Sequence, residues 1–225
     1  MNQTFCLALS AFAALSFAPG FAGEDPAKTI ALFNGKDLDA WPTVVLAKEA
    51  KKEDVWSVKD GLLVCKEEPM GHLATAKSFT SFKLVVEWRW APGTAPGNNG
   101  VLMRVNGPAK PLPRCIEAQL KSGDAGDLYG FHGMGINGDS SRLKKVENHA
   151  LGGNLTGLKK MSGNENAPGE WNRYEIELKG PDLKVWVNGK LVNEANGCEV
   201  LAGPIAIQSE GGEIHFRTIQ LTPLE

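Results

Sequence analysis

The nine residues Phe82–Trp90 alternate strictly. Leu84, Val86, Trp88 and Trp90 take one side; Lys83, Val85, Glu87 and Arg89 take the other. A period of two belongs to a strand with one face on a core, because successive side chains leave a pleated backbone in opposite directions. The same rhythm returns at Asn172, Tyr174, Ile176 and Leu178. Two hairpins are written beside these strands. Val55–Val58 and Leu62–Val64 flank Lys59-Asp60-Gly61, and Leu183–Val187 and Leu191-Val192 flank Asn188-Gly189. Asp-Gly and Asn-Gly accept the positive φ of a tight two-residue turn. Ile30–Phe33, Pro204–Gln208 and Ile214–Leu221 read as further strands, and the apolar phase slips between Phe216 and Ile219, which predicts a bulge. No long segment carries a helical period. Many short strands with turn signals imply an antiparallel sandwich or jelly roll.

The stretch Asn98–Leu120 holds two more runs, Asn98–Val105 and Pro113–Leu120, split by a Pro-rich break. In the second run Ile116, Ala118 and Leu120 share one face, and Glu117 and Gln119 share the other. A carboxylate and an amide side by side suit a hydroxyl-rich ligand, since one accepts hydrogen bonds and the other both donates and accepts. A solvated sheet face produces the same alternation. Residues 123–169 are rich in Gly, Asn and Ser and read as long loops, with one short strand near Leu128–Phe131. Lys48–Asp54 reads as a helical turn or a charged loop.

The chain has 225 residues, 42% hydrophobic and 22% charged, with a formal net charge of −2. That suffices for one sizeable core. It lacks the clustered basic charge that nucleic acid calls for. Beyond the N-terminus no apolar run is long enough to span a bilayer. Phe5–Phe17 is uncharged and apolar, and Gly20-Phe-Ala-Gly23 precedes the first acids, Glu24 and Asp25. Residues 1–23 therefore read as a signal peptide cut near Ala22 or Gly23, leaving 24–225 as an exported domain, periplasmic or extracellular. Export leaves Cys65, Cys115 and Cys198, an odd number that permits at most one internal disulfide. Buried free thiols are the expectation.

No nucleophile elbow, His-Glu-x-x-His, P-loop or Cys-x-x-Cys motif is present. Gly133–Gly138 is Gly-rich but no helix pattern follows it, so it is no phosphate cradle. Asp124, Asp127 and Asp139 do not have calcium-loop spacing, and turn chemistry accounts for them. The polar-face candidates are Glu87, Arg89, Arg104, Glu117, Gln119, Gln208 and Glu210. His132, after Tyr129-Gly-Phe131, is the candidate among the four histidines. Trp56, Trp88, Trp90 and Trp186 lie in strands, mostly as core.

Several motifs recur in a set order. They are Leu32-Phe-Asn-Gly-Lys-Asp-Leu38 with Trp41, Trp56–Gly61, Phe82–Arg89, and Asn98-Asn-Gly-Val101 with Arg104. Glu117-Ala-Gln119, Tyr129-Gly130, Glu170-Trp-Asn172, Asn188-Gly189 and Gly203–Gln208 follow. Together they resemble the 3-keto-disaccharide hydrolase domain family over Ile30–Leu221. Three positions depart from its pattern: Asn99 stands where Ser is usual, Glu210 where His is usual, and Thr218 where Asn is usual. The resemblance implies a single concanavalin A-like jelly-roll domain and action on glycosides oxidised at C3. On that reading Glu117 is the base or acid, Arg104 anchors the enolate or the substrate, and His132 and Glu210 are further acid–base candidates. Glu87, Arg89, Gln119, Gln208 and Tyr129 bind sugar. No cofactor is evident, and a divalent metal could act as electrophile although no ligand set is visible. The alternatives are a carbohydrate-binding module without catalysis, since one fold hosts many functions, and a conventional glycosidase with two opposed carboxylates.

Overall fold

A computed structural model describes residues 29–66 and 68–225; residues 1–23, expected from the sequence to be a signal peptide, lie outside the described residues. In chain order the first strands are β1 (Ile30–Ala31), β2 (Thr43–Leu46), β3 (Trp56–Lys59), β4 (Leu62–Cys65), β5 (Gly71–Phe79), β6 (Phe82–Trp90), β7 (Gly100–Asn106) and β8 (Arg114–Gln119). They are followed by β9 (Leu128–Gly130), β10 (Leu143–His149), β11 (Gly153–Leu158), β12 (Asn172–Lys179), β13 (Asp182–Val187), β14 (Lys190–Ala195), β15 (Gly203–Ser209) and β16 (Ile214–Pro223). The charged stretch before β3 forms one helical turn, α1 (Lys52–Val55). Among the described residues no helix is long and apolar enough to cross a membrane.

Two antiparallel eight-stranded sheets result. The first runs β14-β13-β12-β6-β16-β4-β3, with β1 on β16; the second runs β10-β11-β9-β8-β7-β15-β5-β2. They pack face to face as a jelly-roll sandwich. The alternation in β6 does what its spacing dictates: Leu84, Val86, Trp88 and Trp90 are buried between the sheets. Trp88 meets Trp90 edge to face at 6.2 Å and Tyr174 at 6.3 Å, a geometry favoured by the ring quadrupoles. Asp60-Gly61 and Asn188-Gly189 adopt φ of 52° and 76°, and of 49° and 79°, the positive pair that closes a two-residue hairpin. The bulge in β16 falls between Phe216 and Thr218. Cys65, Cys115 and Cys198 are buried free thiols.

Four strands were not legible, the short β2 among them. Residues 143–158, expected as loop, form the β10–β11 hairpin at the edge of the second sheet. The β10 residues Leu-Lys-Lys-Val-Glu-Asn-His are mostly exposed, so an edge strand shows no hydrophobic period. Strand β5, Gly-His-Leu-Ala-Thr-Ala-Lys-Ser-Phe, begins with five buried residues in succession; covered on both faces, it has no alternation to detect.

The cover on that second face is a separate apolar cluster of Ala74, Leu102, Leu112, Cys115, Phe131 and Ala206. Leu112 comes from the β7–β8 connection, which folds across the sheet. Two histidines hold it there: a His72 ring nitrogen lies 3.1 Å from the Pro111 carbonyl, and His132 Nε2 lies 3.0 Å from the Leu112 carbonyl. One end of the second sheet's outer face is thereby filled with apolar side chains. The other end is left to polar ones.

Candidate functional site

The polar end is built by register. Glu117 lies opposite Leu102 on β7 and Tyr129 on β9. Gln119 lies opposite Gly100, and Gln208 opposite His72. Glu117, Gln119, Gln208 and Tyr129 thus share one face, as their parity requires. The Glu117 side chain lies across Gly100, where a Cβ would overlap its carboxylate. The Gly in Asn98-Asn-Gly is therefore a seat for the acid. Asn99 fixes that seat: its Nδ2 donates to the Gln208 carbonyl, and its Oδ1 accepts from Gly100 N–H at 2.9 Å.

The site is not a solvated cleft wall at Glu117. That residue is 1% exposed, and its Oε1 has no hydrogen-bond partner; Gln208 Oε1 is also unpartnered. Buried polar atoms in folded proteins are nearly always bonded, so two unpartnered oxygens on one row make that row the candidate site. Burial, with Glu210 and Asp127 as like charges, pushes the Glu117 carboxyl well above the ordinary range. Both effects favour its protonated form. Glu210 follows Gln208 by two residues at the mouth. Burial raises its carboxyl as well, while hydrogen bonding from Gln208 and the charges of Lys121 and His149 act the other way. Gln119 Oε1 accepts from Leu120 and Lys121 N–H at 3.0 and 2.9 Å, which locks its amide.

The face has two recesses. A polar cleft of about 720 Å³ includes Asn98, Lys121, Ser122 and Glu210 in its wall. A smaller cavity of about 290 Å³ is lined by Tyr129, Val146, Leu155 and His149. His149 Nδ1 accepts the backbone N–H of Gly152 at 3.1 Å, leaving Nε2 as the donor.

Four sequence candidates lie elsewhere. Arg104 sits at the β7 bulge with φ of 52°. Its guanidinium donates to the carbonyls of Thr80, Gly180 and Glu199 at 2.6–3.0 Å, and the residue is fully buried. It clips three connections together, with four of its five N–H donors spent on backbone carbonyls. His132 is spent on the Leu112 carbonyl. Glu87 and Arg89 are on the outer face of the first sheet, across the core from Glu117. There Glu87 takes bonds from Arg217 and Thr218, and Arg89 lies 4.6 Å from the Trp171 ring centroid. Conversely, His149, Lys121 and Asn99 belong to the site. His149 had no visible signal, because its strand is a polar edge. Among the described residues no three His, Cys, Asp or Glu side chains converge as a metal site.

A model of the 3-keto-alpha-glucoside-1,2-lyase-like domain matches residues 28–222. The chain belongs to that family. No curated protein matches it. Among solved structures, a proposed glycosyl hydrolase of Parabacteroides distasonis superposes with a TM-score of 0.63 at 22% identity, covering 88% of this chain and 95% of its own. The carbohydrate-binding module CBM66 of Bacillus subtilis gives 0.58 at 13% identity, covering 80% and 94%. The β-glucanase of Bacillus licheniformis gives 0.57 at 10%, covering 86% and 97%. These likenesses establish a shared fold. Within this family member, the row Tyr129–Glu117–Gln119–Gln208 on the outer face of the second sheet carries two unpartnered polar atoms, Glu117 Oε1 and Gln208 Oε1.

Proposed function

We propose that this protein cleaves glycosides already oxidised at C3. The observation that carries the reading is a pair of carboxyls on one polar row with unlike surroundings. Glu117 is buried with its Oε1 unpartnered, and burial and like charges raise its carboxyl well above the ordinary range; Glu210 is half-buried, and although burial raises it too, Gln208, Lys121 and His149 act against the rise. The more buried group suits the acid and the one facing cations suits the base. A ketone at C3 acidifies the C2 proton. Glu210 removes that proton, and the C–H electron pair passes to the C3 oxygen as an enolate. The enolate then collapses to a C1–C2 double bond, the C1–O bond breaks, and the departing oxygen takes the proton of Glu117. Water next adds its oxygen to C1 and gives a proton to the Glu117 carboxylate. Glu210, its carboxyl proton having exchanged with solvent, then gives a proton to C2. The sum is hydrolysis, with both groups restored. Gln119 and Gln208 have the amide chemistry to hold the sugar hydroxyls in this geometry.

The test compares 3-keto-glycosides with their unoxidised parents in D2O. The expected result is cleavage of the oxidised compounds only, with solvent deuterium carried at C2 of the released sugar. Cleavage of the parents without label at C2 would make the protein a conventional glycosidase. Binding with no cleavage of either would make it a carbohydrate-binding module.

A further inference from the structure

The 290 Å³ cavity beside Glu117 differs in kind from the polar cleft at Glu210. Its walls are the Tyr129 ring and the side chains of Val146 and Leu155. Tyr129 is held flat from two sides. Its ring stacks on Phe131 at 5.8 Å with an interplanar angle of 7°. On the strand alongside, a Cβ at Gly157 would stand 2.9 Å from Tyr129 Cε1, so any larger residue would lift the ring. Tyr129 is also the cross-strand neighbour of Glu117. The Tyr129 ring therefore stands between the cavity and the group assigned to protonate the departing oxygen.

A pyranose ring bears polar groups nearly all round and matches the cleft lined by Asn98, Lys121 and Glu210. It leaves the aliphatic and aromatic walls of the smaller cavity unused. A flat apolar ring fits those walls, with its face on Tyr129. Two lysines stand at the rim. Lys159 is neutralised by Asp127 at 2.5 Å. Lys144 has no acidic partner among the described residues.

We propose that this cavity is the leaving-group subsite and takes an aromatic aglycone, with an acidic ring substituent met by Lys144. This rests on the reaction proposed above for the order of the two subsites, but the cavity's preference can be read from binding alone. The probes are methyl, phenyl and 4-carboxyphenyl glucosides of one anomeric configuration, unoxidised, titrated by ligand-observed NMR. Phenyl should bind about tenfold tighter than methyl, the worth of one good ring contact. The carboxylate should add a few-fold more, as a screened ion pair does. Lys144→Ala should remove only the second increment. Val146→Asp, on a half-buried edge-strand residue, should remove the phenyl increment and leave methyl binding unchanged. Equal affinity for all three glucosides would overturn the proposal, and so would a phenyl increment that survives Val146→Asp. The 3-keto forms separate the two ideas. The same ranking in binding without any turnover supports the subsite and sinks the reaction. Turnover with no aromatic preference supports the reaction and sinks the subsite.

Discussion

The outer faces of the two sheets start from the same alternating pattern and end in opposite electrostatic states. On the first sheet Glu87 accepts from Arg217 at 3.1 and 3.2 Å and from Thr218 at 2.6 Å, with Arg173 at 3.8 Å. Arg173 also pairs with Glu175 at 2.8 Å, and Lys83 with Glu177 at 3.5 Å. Those four carboxylate and guanidinium residues of the Glu87 group have partners and are near water. Burial pulls the Glu87 carboxyl upward, but Arg217 and Thr218 outweigh it and hold the group below its ordinary range. On the second sheet Glu117 is buried, no salt bridge reaches it among the described residues, and its Oε1 is unbonded. Paired surface charges cost little and contribute little. A buried carboxyl without a partner is destabilising, so its presence needs a reason other than stability. On the function proposed above, that contrast separates a solvated face from the one that carries the chemistry.

Glu117→Gln tests the contrast most severely. Turnover of a 3-keto-glycoside should fall about 10²–10⁴-fold, the usual worth of a general acid, with ligand binding largely kept. Stability should move the other way. Because burial raises this carboxyl well above its ordinary range, the native state binds more protons than the unfolded one as pH rises past that range. The parent therefore loses stability with rising pH, and the Gln variant does not. Chemical denaturation from pH 4 to 8 should show the variant gaining on the parent throughout. A variant that is both active and less stable would dissolve the distinction between the faces.

Arg104→Ala comes next in size. Three backbone carbonyls lose their donor, and a loss of about 3 kcal/mol is expected in denaturant melts. The turnover of the folded fraction should be unchanged, because the guanidinium lies off both faces; a folded variant with lost turnover would restore Arg104 as a substrate anchor. Gly100→Ala sharpens the geometry. The new Cβ displaces the Glu117 carboxylate, and a shift of that kind costs about 10²-fold in rate, read as a fall in kcat with little change in melting. Glu87→Gln is the smallest. It should cost about 0–1 kcal/mol at neutral pH. Since the folded carboxyl is held below its ordinary range, that contribution is present above the unfolded value and lost as pH falls through the folded one. Turnover should not change, and a large fall would move the active face to the first sheet.

Local chemistry settled much of this protein before any packing was considered. The period of two in Phe82–Trp90 and Asn172–Leu178, the Asp-Gly and Asn-Gly turns and the phase slip after Phe216 each depend on neighbours in sequence, and each is found as read. So is the parity that places Glu117 and Gln119 together. Parity says which face a side chain takes, but not what covers that face. The connection carrying Leu112 folds over the second sheet and the edge hairpin β10–β11 adds His149 and Val146 beside Tyr129. Those long-range contacts turned Glu117 from a solvated carboxylate into a buried acid. Arg104 and His132 were misread for the same reason. A bulge aimed one at three distant carbonyls and a loop crossing occupied the other, and neither partner lies near them in sequence. Strand faces follow from the bond geometry of adjacent residues, whereas desolvation and the choice of hydrogen-bond partner follow from segments brought together only when the two sheets close.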